Sequence, residues 1–97
     1  TTIKRLNHLK EVFHLYHINV KNRDLLQKYL IKNSIDAKVH YPIPIHLQHA
    51  AKYLKYKKGD FPIAEQISMS TLSLPVHEFI EEKHIKYMAT LINNFYR

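Results

Sequence analysis

The stretch EVFHLYHINVKNRDLLQKYLIKNSIDAKVHYP, residues 11–42, changes its apolar rhythm twice, and that change decides the fold. From Glu11 to Val20 the apolar residues alternate. Val12, Tyr16, Ile18 and Val20 fall on one side and Phe13 and Leu15 on the other, which predicts a strand covered on both faces. From Asn22 the spacing becomes helical, with Leu25, Leu26, Tyr29 and Leu30 on one stripe. Asn22 reads as the N-cap, and Asp24 suits the positive end of the helix. Asn33 reads as the left-handed residue that commonly follows a helix. DAKVHY then predicts a second short strand, stopped by Pro42, which has no amide proton to give to a ladder.

Outward from this β-α-β unit, LQHAAKYL predicts about two turns of helix and KYKKGDF a charged turn around Gly59. PIAEQISMST is a helix with Pro62 in its first turn, and LSLP a strand closed by Pro75. The closing segment carries the clearest period: Ile85, Met88, Ala89, Ile92, Phe95 and Tyr96 recur every three or four residues, with Glu81 and Glu82 at the N-terminal end. The order β-α-β-α-α-β-α predicts an α+β fold, a small, mostly antiparallel sheet packed with helices.

The 97 residues, 45% of them hydrophobic, suit one domain over 1–97. A net charge of +7 permits an anionic partner. No apolar run nears the roughly 20 residues that span a bilayer, and TTIKRLNHLKEV has no signal-peptide core, so a cytoplasmic protein with no membrane partner is expected. The lack of cysteine excludes disulfides and thiolate metal sites. Gly59 is the only glycine, which excludes the glycine-rich phosphate loops of P-loop and dinucleotide-binding proteins.

Eight histidines invite a metal reading, but their spacings do not support one. No HExxH pattern or Cys/His pair occurs, and His14 and His17 would face opposite sides of a strand. Ser68, Ser70, Thr71 and Ser73 lack the G-x-S-x-G setting of a nucleophile and read as turn and cap residues. Lys52, Lys55, Lys57 and Lys58, interleaved with Tyr53 and Tyr56, read as a solvated helix end and loop in preference to a nucleic-acid surface. HYPIPIHLQ, residues 40–48, is the more informative cluster, because Pro42 and Pro44 stiffen the backbone beside polar side chains. Chemistry alone leaves His40 and Tyr41 open between ligand contacts and packing residues at a domain edge.

Taken together and in order, HYPIPIHLQ, GDFPIAEQIS (59–68) and LSLPVH (72–77) resemble the C-terminal part of the DegT/StrS-type sugar-nucleotide aminotransferases, which are pyridoxal-phosphate (PLP) enzymes of fold type I. VFHLYHI and NRDLLQKYLIKNSI match the same layout, so the resemblance covers essentially the whole chain. It implies a C-terminal small domain whose parent enzyme moves an amino group, from glutamate, to a nucleotide-linked keto sugar in amino-sugar or surface-polysaccharide synthesis. It also implies a homodimer. PLP belongs to the parent; no lysine here matches the Schiff-base motif, so the chain alone is expected to bind no cofactor and to be inactive.

The resemblance places substrate contacts at His40 and Tyr41 first, then at His46 and Gln48, with no catalytic, cofactor or metal residues. It makes FP-AE and LSLP-H structural, with Glu65 capping a first helical turn. Two positions depart from the family pattern: Ser34 where glycine is usual, and Glu78 where proline is usual. The competing reading is a non-enzymatic basic α+β module that binds nucleic acid or another anion.

Overall fold

The computed structural model describes residues 1–2 and 6–97. Strand β1 (Tyr16–Asn19) and strand β2 (Thr71–Leu74) pair antiparallel, with helices α1 (Arg23–Lys32), α2 (Pro62–Ser70) and α3 (Glu82–Phe95) around them. Two single bridges widen the ladder, Thr2 to Ile18 on one side and Lys38 to Ser73 on the other. The fold is therefore α+β on a small antiparallel sheet, as the periodicity predicts.

The register explains the two faces. Tyr16 lies opposite Leu74 and Ile18 opposite Leu72, which puts four apolar residues on one face. That face meets α1 and α3 in a core of Ile18, Leu26, Leu30, Ala37, Leu72 and Leu91. On the other face His17 lies opposite Ser73 and Asn19 opposite Thr71, so it is polar. Strand β1 is thus shorter than residues 11–20 and not apolar on both sides. Phe13 has φ 50°, outside the extended region, and the chain becomes a strand only at Tyr16.

Other boundaries differ for local reasons. Asn22 does precede α1, but it is left-handed and its side chain makes no cap bond. The left-handed residue after α1 is Ser34 (φ 63°), not Asn33. Ser34 N donates to Ile31 O and Ile35 N to Leu30 O, each at 3.0 Å, which is the paired bonding of a Schellman end. Asn33 instead donates its side-chain amide to Tyr29 O at 2.8 Å. Serine pays a steric cost in this conformation that glycine avoids. Ser34→Gly should therefore raise stability by about 0.5 kcal/mol, the cost relieved less the extra freedom of an unfolded glycine. Chemical denaturation checks this; a lower unfolding midpoint would contradict it.

DAKVHY contributes one bridge, at Lys38, in place of a strand. LQHAAKYL forms a 3-10 helix over His49–Leu54 after a short 3-10 turn at Ile45–Leu47. On α1 the stripe buries Leu26 and Leu30 but leaves Leu25 exposed. On α3, Met88 and Leu91 are buried, and Ile92 and Phe95 pack against the core. Ile85, Ala89 and Tyr96, with the outer edges of Met88 and Ile92, border an open apolar groove beside Ile18 and Val76. Among the described residues no helix is long and apolar enough to cross a membrane.

Candidate functional site

The loop after Lys38 is pinned before it starts. Ser73 N donates to Lys38 O at 2.7 Å and Lys38 N to Ser73 O at 3.0 Å, so His40 leaves the sheet two residues from a fixed point. Pro42 and Pro44 then limit the backbone. The Gln48 side-chain amide donates to Ile43 O at 3.1 Å and closes the turn across five residues.

His46 anchors the far end. It is buried, with its ring 4.8 Å from that of Phe61 and Nε2 3.0 Å from Glu65 Oε1. A carboxylate only accepts, so Nε2 carries the proton. Glu65 Oε1 also accepts the Gly59 amide at 2.7 Å, reaching beyond the start of its own helix. The side chain of Phe61, the residue before α2, makes no cap bond of its own. Glu65 thus ties turn and loop to the helix and also takes the Phe61 backbone amide at the start of α2, the capping role that the FP-AE segment implied. Gly59 has φ 98°, a backbone conformation that favours glycine.

The Gly59 amide is the main cause holding the Glu65 carboxyl below its ordinary value of 4.5, and His46 adds to it. A carboxyl lowered in the folded state stabilises the fold above its unfolded value and loses that contribution as pH falls through the folded one. The stability advantage over Glu65→Gln should therefore be full above pH 4.5 and shrink below it. Urea titrations of both proteins across that range check it; a difference that stays constant would contradict it.

These ties build a cleft of 540 Å³. All four residues singled out in the sequence, His40, Tyr41, His46 and Gln48, line it, together with Tyr56 and Phe61. Tyr41 is 71% exposed, and its ring meets that of His40 edge-on at 5.6 Å. Tyr56 stands edge-on to Phe61 at 5.0 Å. An aromatic wall with a few polar heads suits a planar ring carrying oxygen acceptors. His40 and Tyr41 are presented at the rim, while His46 and Gln48 spend one bond each on holding the loop.

Among the described residues that line the cleft there is no lysine, aspartate or glutamate.

Sequence reasoning missed Ser73, which stood among the turn and cap residues. Ser68 and Ser70 do bond backward along α2, to Glu65 O and Ile67 O. Ser73 differs: its hydroxyl contacts both His17 and His40. The available signal was its place in LSLP, where alternation turns it away from Leu72 and Leu74. Two of the remaining histidines have local backbone partners. His84 Nδ1 accepts the Glu81 amide in a capping box, and His77 Nδ1 accepts the Phe79 amide. Among the described residues no group of three potential ligands could hold a metal.

The DegT/DnrJ/EryC1/StrS aminotransferase family matches residues 1–93. The "Pleiotropic regulatory protein" of Geobacillus stearothermophilus is 38% identical over 99% of this chain and 26% of its own length. The dTDP-3-amino-3,6-dideoxy-alpha-D-galactopyranose transaminase of Aneurinibacillus thermoaerophilus is 34% identical over 87% of this chain and 23% of its own. The crystal structure of S. venezuelae DesV in complex with a ketimine intermediate superposes with a TM-score of 0.82 and 29% identity, over 89% of this chain and 23% of that one. The chain thus spans about a quarter of the length of the relatives it matches.

Proposed function

Because the chain belongs to the DegT/DnrJ/EryC1/StrS aminotransferase family, we propose that it is the small domain of a sugar aminotransferase and supplies the wall that holds a nucleotide-linked keto sugar. The observation that carries this reading is the convergence of His40, Tyr41, His46 and Gln48 on one aromatic cleft. In it, His40 donates to a substrate oxygen, Tyr41 stacks or hydrogen-bonds at the rim, and His46 and Gln48 hold the loop in shape. PLP supplies the amino-transfer chemistry and is held by the rest of the enzyme; glutamate is the proposed amino donor.

The surface supports a domain that works covered. An accessible area of 8077 Å² is well above the roughly 5,800 Å² of a compact monomer of 11.6 kDa. The surplus, on the order of 2,000 Å², is the scale of an obligate contact. The apolar groove along α3, lined by Ile80, Ile85, Met88 and Ile92, lies on that surface. In this reading the remainder of the enzyme and a second subunit cover it.

The test is kinetic and uses the complete enzyme. His40→Ala should raise KM for the nucleotide sugar about tenfold, the loss of one hydrogen bond worth about 1.4 kcal/mol, and leave KM for glutamate within about twofold. Equal effects on both substrates would overturn the assignment.

A further inference from the structure

Ser73 is 3% exposed, and both of its backbone groups are bonded to Lys38. Its hydroxyl oxygen lies 2.9 Å from Nδ1 of His40 and 2.9 Å from Nδ1 of His17. One hydroxyl therefore serves two imidazoles, and it has a single proton to give. If both Nδ1 atoms carried protons, the Ser73 proton would be left unpaired in a nearly dry site, which is costly. If neither did, only one of the two contacts could be a hydrogen bond. Both are satisfied together when one histidine donates to Ser73 and the other accepts from it. The two rings then hold opposite tautomers.

We propose that His17 and Ser73 are positioning residues for His40: His17 Nδ1–H donates to Ser73 Oγ, Ser73 Oγ–H donates to His40 Nδ1, and His40 keeps its proton on Nε2 as a donor toward the ligand. The direction rests on the reading of the cleft as a nucleotide-sugar contact, because phosphate and carbonyl oxygens of such a ligand only accept. His40 is the ring that lines the cleft, and His17 pairs across the sheet with Ser73 behind it. The other titratable groups beside this relay are His14, Asp36, Lys38 and His77. They line a smaller 230 Å³ cleft with His40 and Ser73, where Lys38 pairs with Asp36 at 3.0 Å and His77 Nδ1 accepts a backbone amide. Fixing the tautomer in advance removes a choice that the ligand would otherwise have to impose.

Imidazole ¹⁵N spectra of the full chain at neutral pH test the relay without any substrate. The expected result is His17 protonated at Nδ1 and His40 at Nε2, a contrast lost in Ser73→Ala and restored in Ser73→Thr, which keeps the hydroxyl. The same tautomer on both rings, the opposite assignment, or a contrast that persists in Ser73→Ala would overturn it. The wild-type spectrum alone can do so, which keeps the proposal exposed even where Ser73→Ala fails to fold. Since the readout is a ring proton, the relay and the kinetic reading of His40 can fail separately.

Discussion

Replacing Leu72 with alanine is expected to lower the unfolding free energy by about 3 kcal/mol, from the transfer cost of the lost methyl groups plus the cavity left behind. Leu72 is fully buried in the middle of β2, opposite Ile18, in the same cluster as Leu26, Leu30 and Leu91. Its neighbours lie on three elements, β1, α1 and α3, so the site cannot collapse without moving a strand against two helices. For a chain of this length total stability is on the order of 5–15 kcal/mol, and the loss is a large part of it. The control is Leu25→Ala on the outer face of α1, where the side chain is 59% exposed and the change should stay within about 0.5 kcal/mol. Urea unfolding with unchanged slope measures both. Similar losses at the two positions would mean that the register of β1 and β2 does not set the core.

That contrast also shows how far the sequence could be read. The helical stripe Leu25, Leu26, Tyr29, Leu30 located α1, but a stripe has edges, and only the packing of α1 on α3 and β2 decides that Leu25 lies outside it. The strand at 11–20 was over-read for a similar reason. Alternation continues into Val12 and Phe13, where the backbone has already turned, with φ 50° at Phe13. Proline was a more reliable marker than apolar rhythm: Pro62 opens α2, and Pro75 follows the last residue of β2. At the candidate site the loop residues were legible because proline stiffness and polar heads coincide in a nine-residue stretch. Their supports were not. Glu65, Ser73 and Gly59 reach the loop across separations that no local pattern encodes, through single bonds to His46, to His40 and to the Glu65 carboxylate.

Arg23 is the largest such omission, and its replacement is the second change expected to cost heavily. The sequence NRD reads as a helix start, yet the Arg23 side chain is 8% exposed and turns away from α1. Its Nη1 donates to Ser68 O at 3.1 Å and to Thr71 O at 3.2 Å, while Nε bonds the exposed Asp24 carboxylate. Those two carbonyls lie at the C-terminal end of α2, where the helix dipole is negative and a cation is favoured. Arg23→Met keeps most of the apolar stem but removes every donor, leaving two carbonyls without their charged partner. The expected loss is about 3 kcal/mol, within the range for buried bonds to a charged group. Arg23→Lys should recover only part, since one ammonium does not reproduce the guanidinium fork. Asp24→Asn, on an exposed partner, should cost under about 1 kcal/mol. Ser68 and Thr71 also line the 540 Å³ cleft, so Arg23 holds part of its wall through their carbonyls. On the proposed reading of the cleft, Arg23→Met should therefore also weaken nucleotide-sugar binding in the complete enzyme even where His40 and Tyr41 are intact. A variant that unfolds earlier yet binds the sugar as wild type does would separate the stability of the α2–β2 corner from the shape of the cleft.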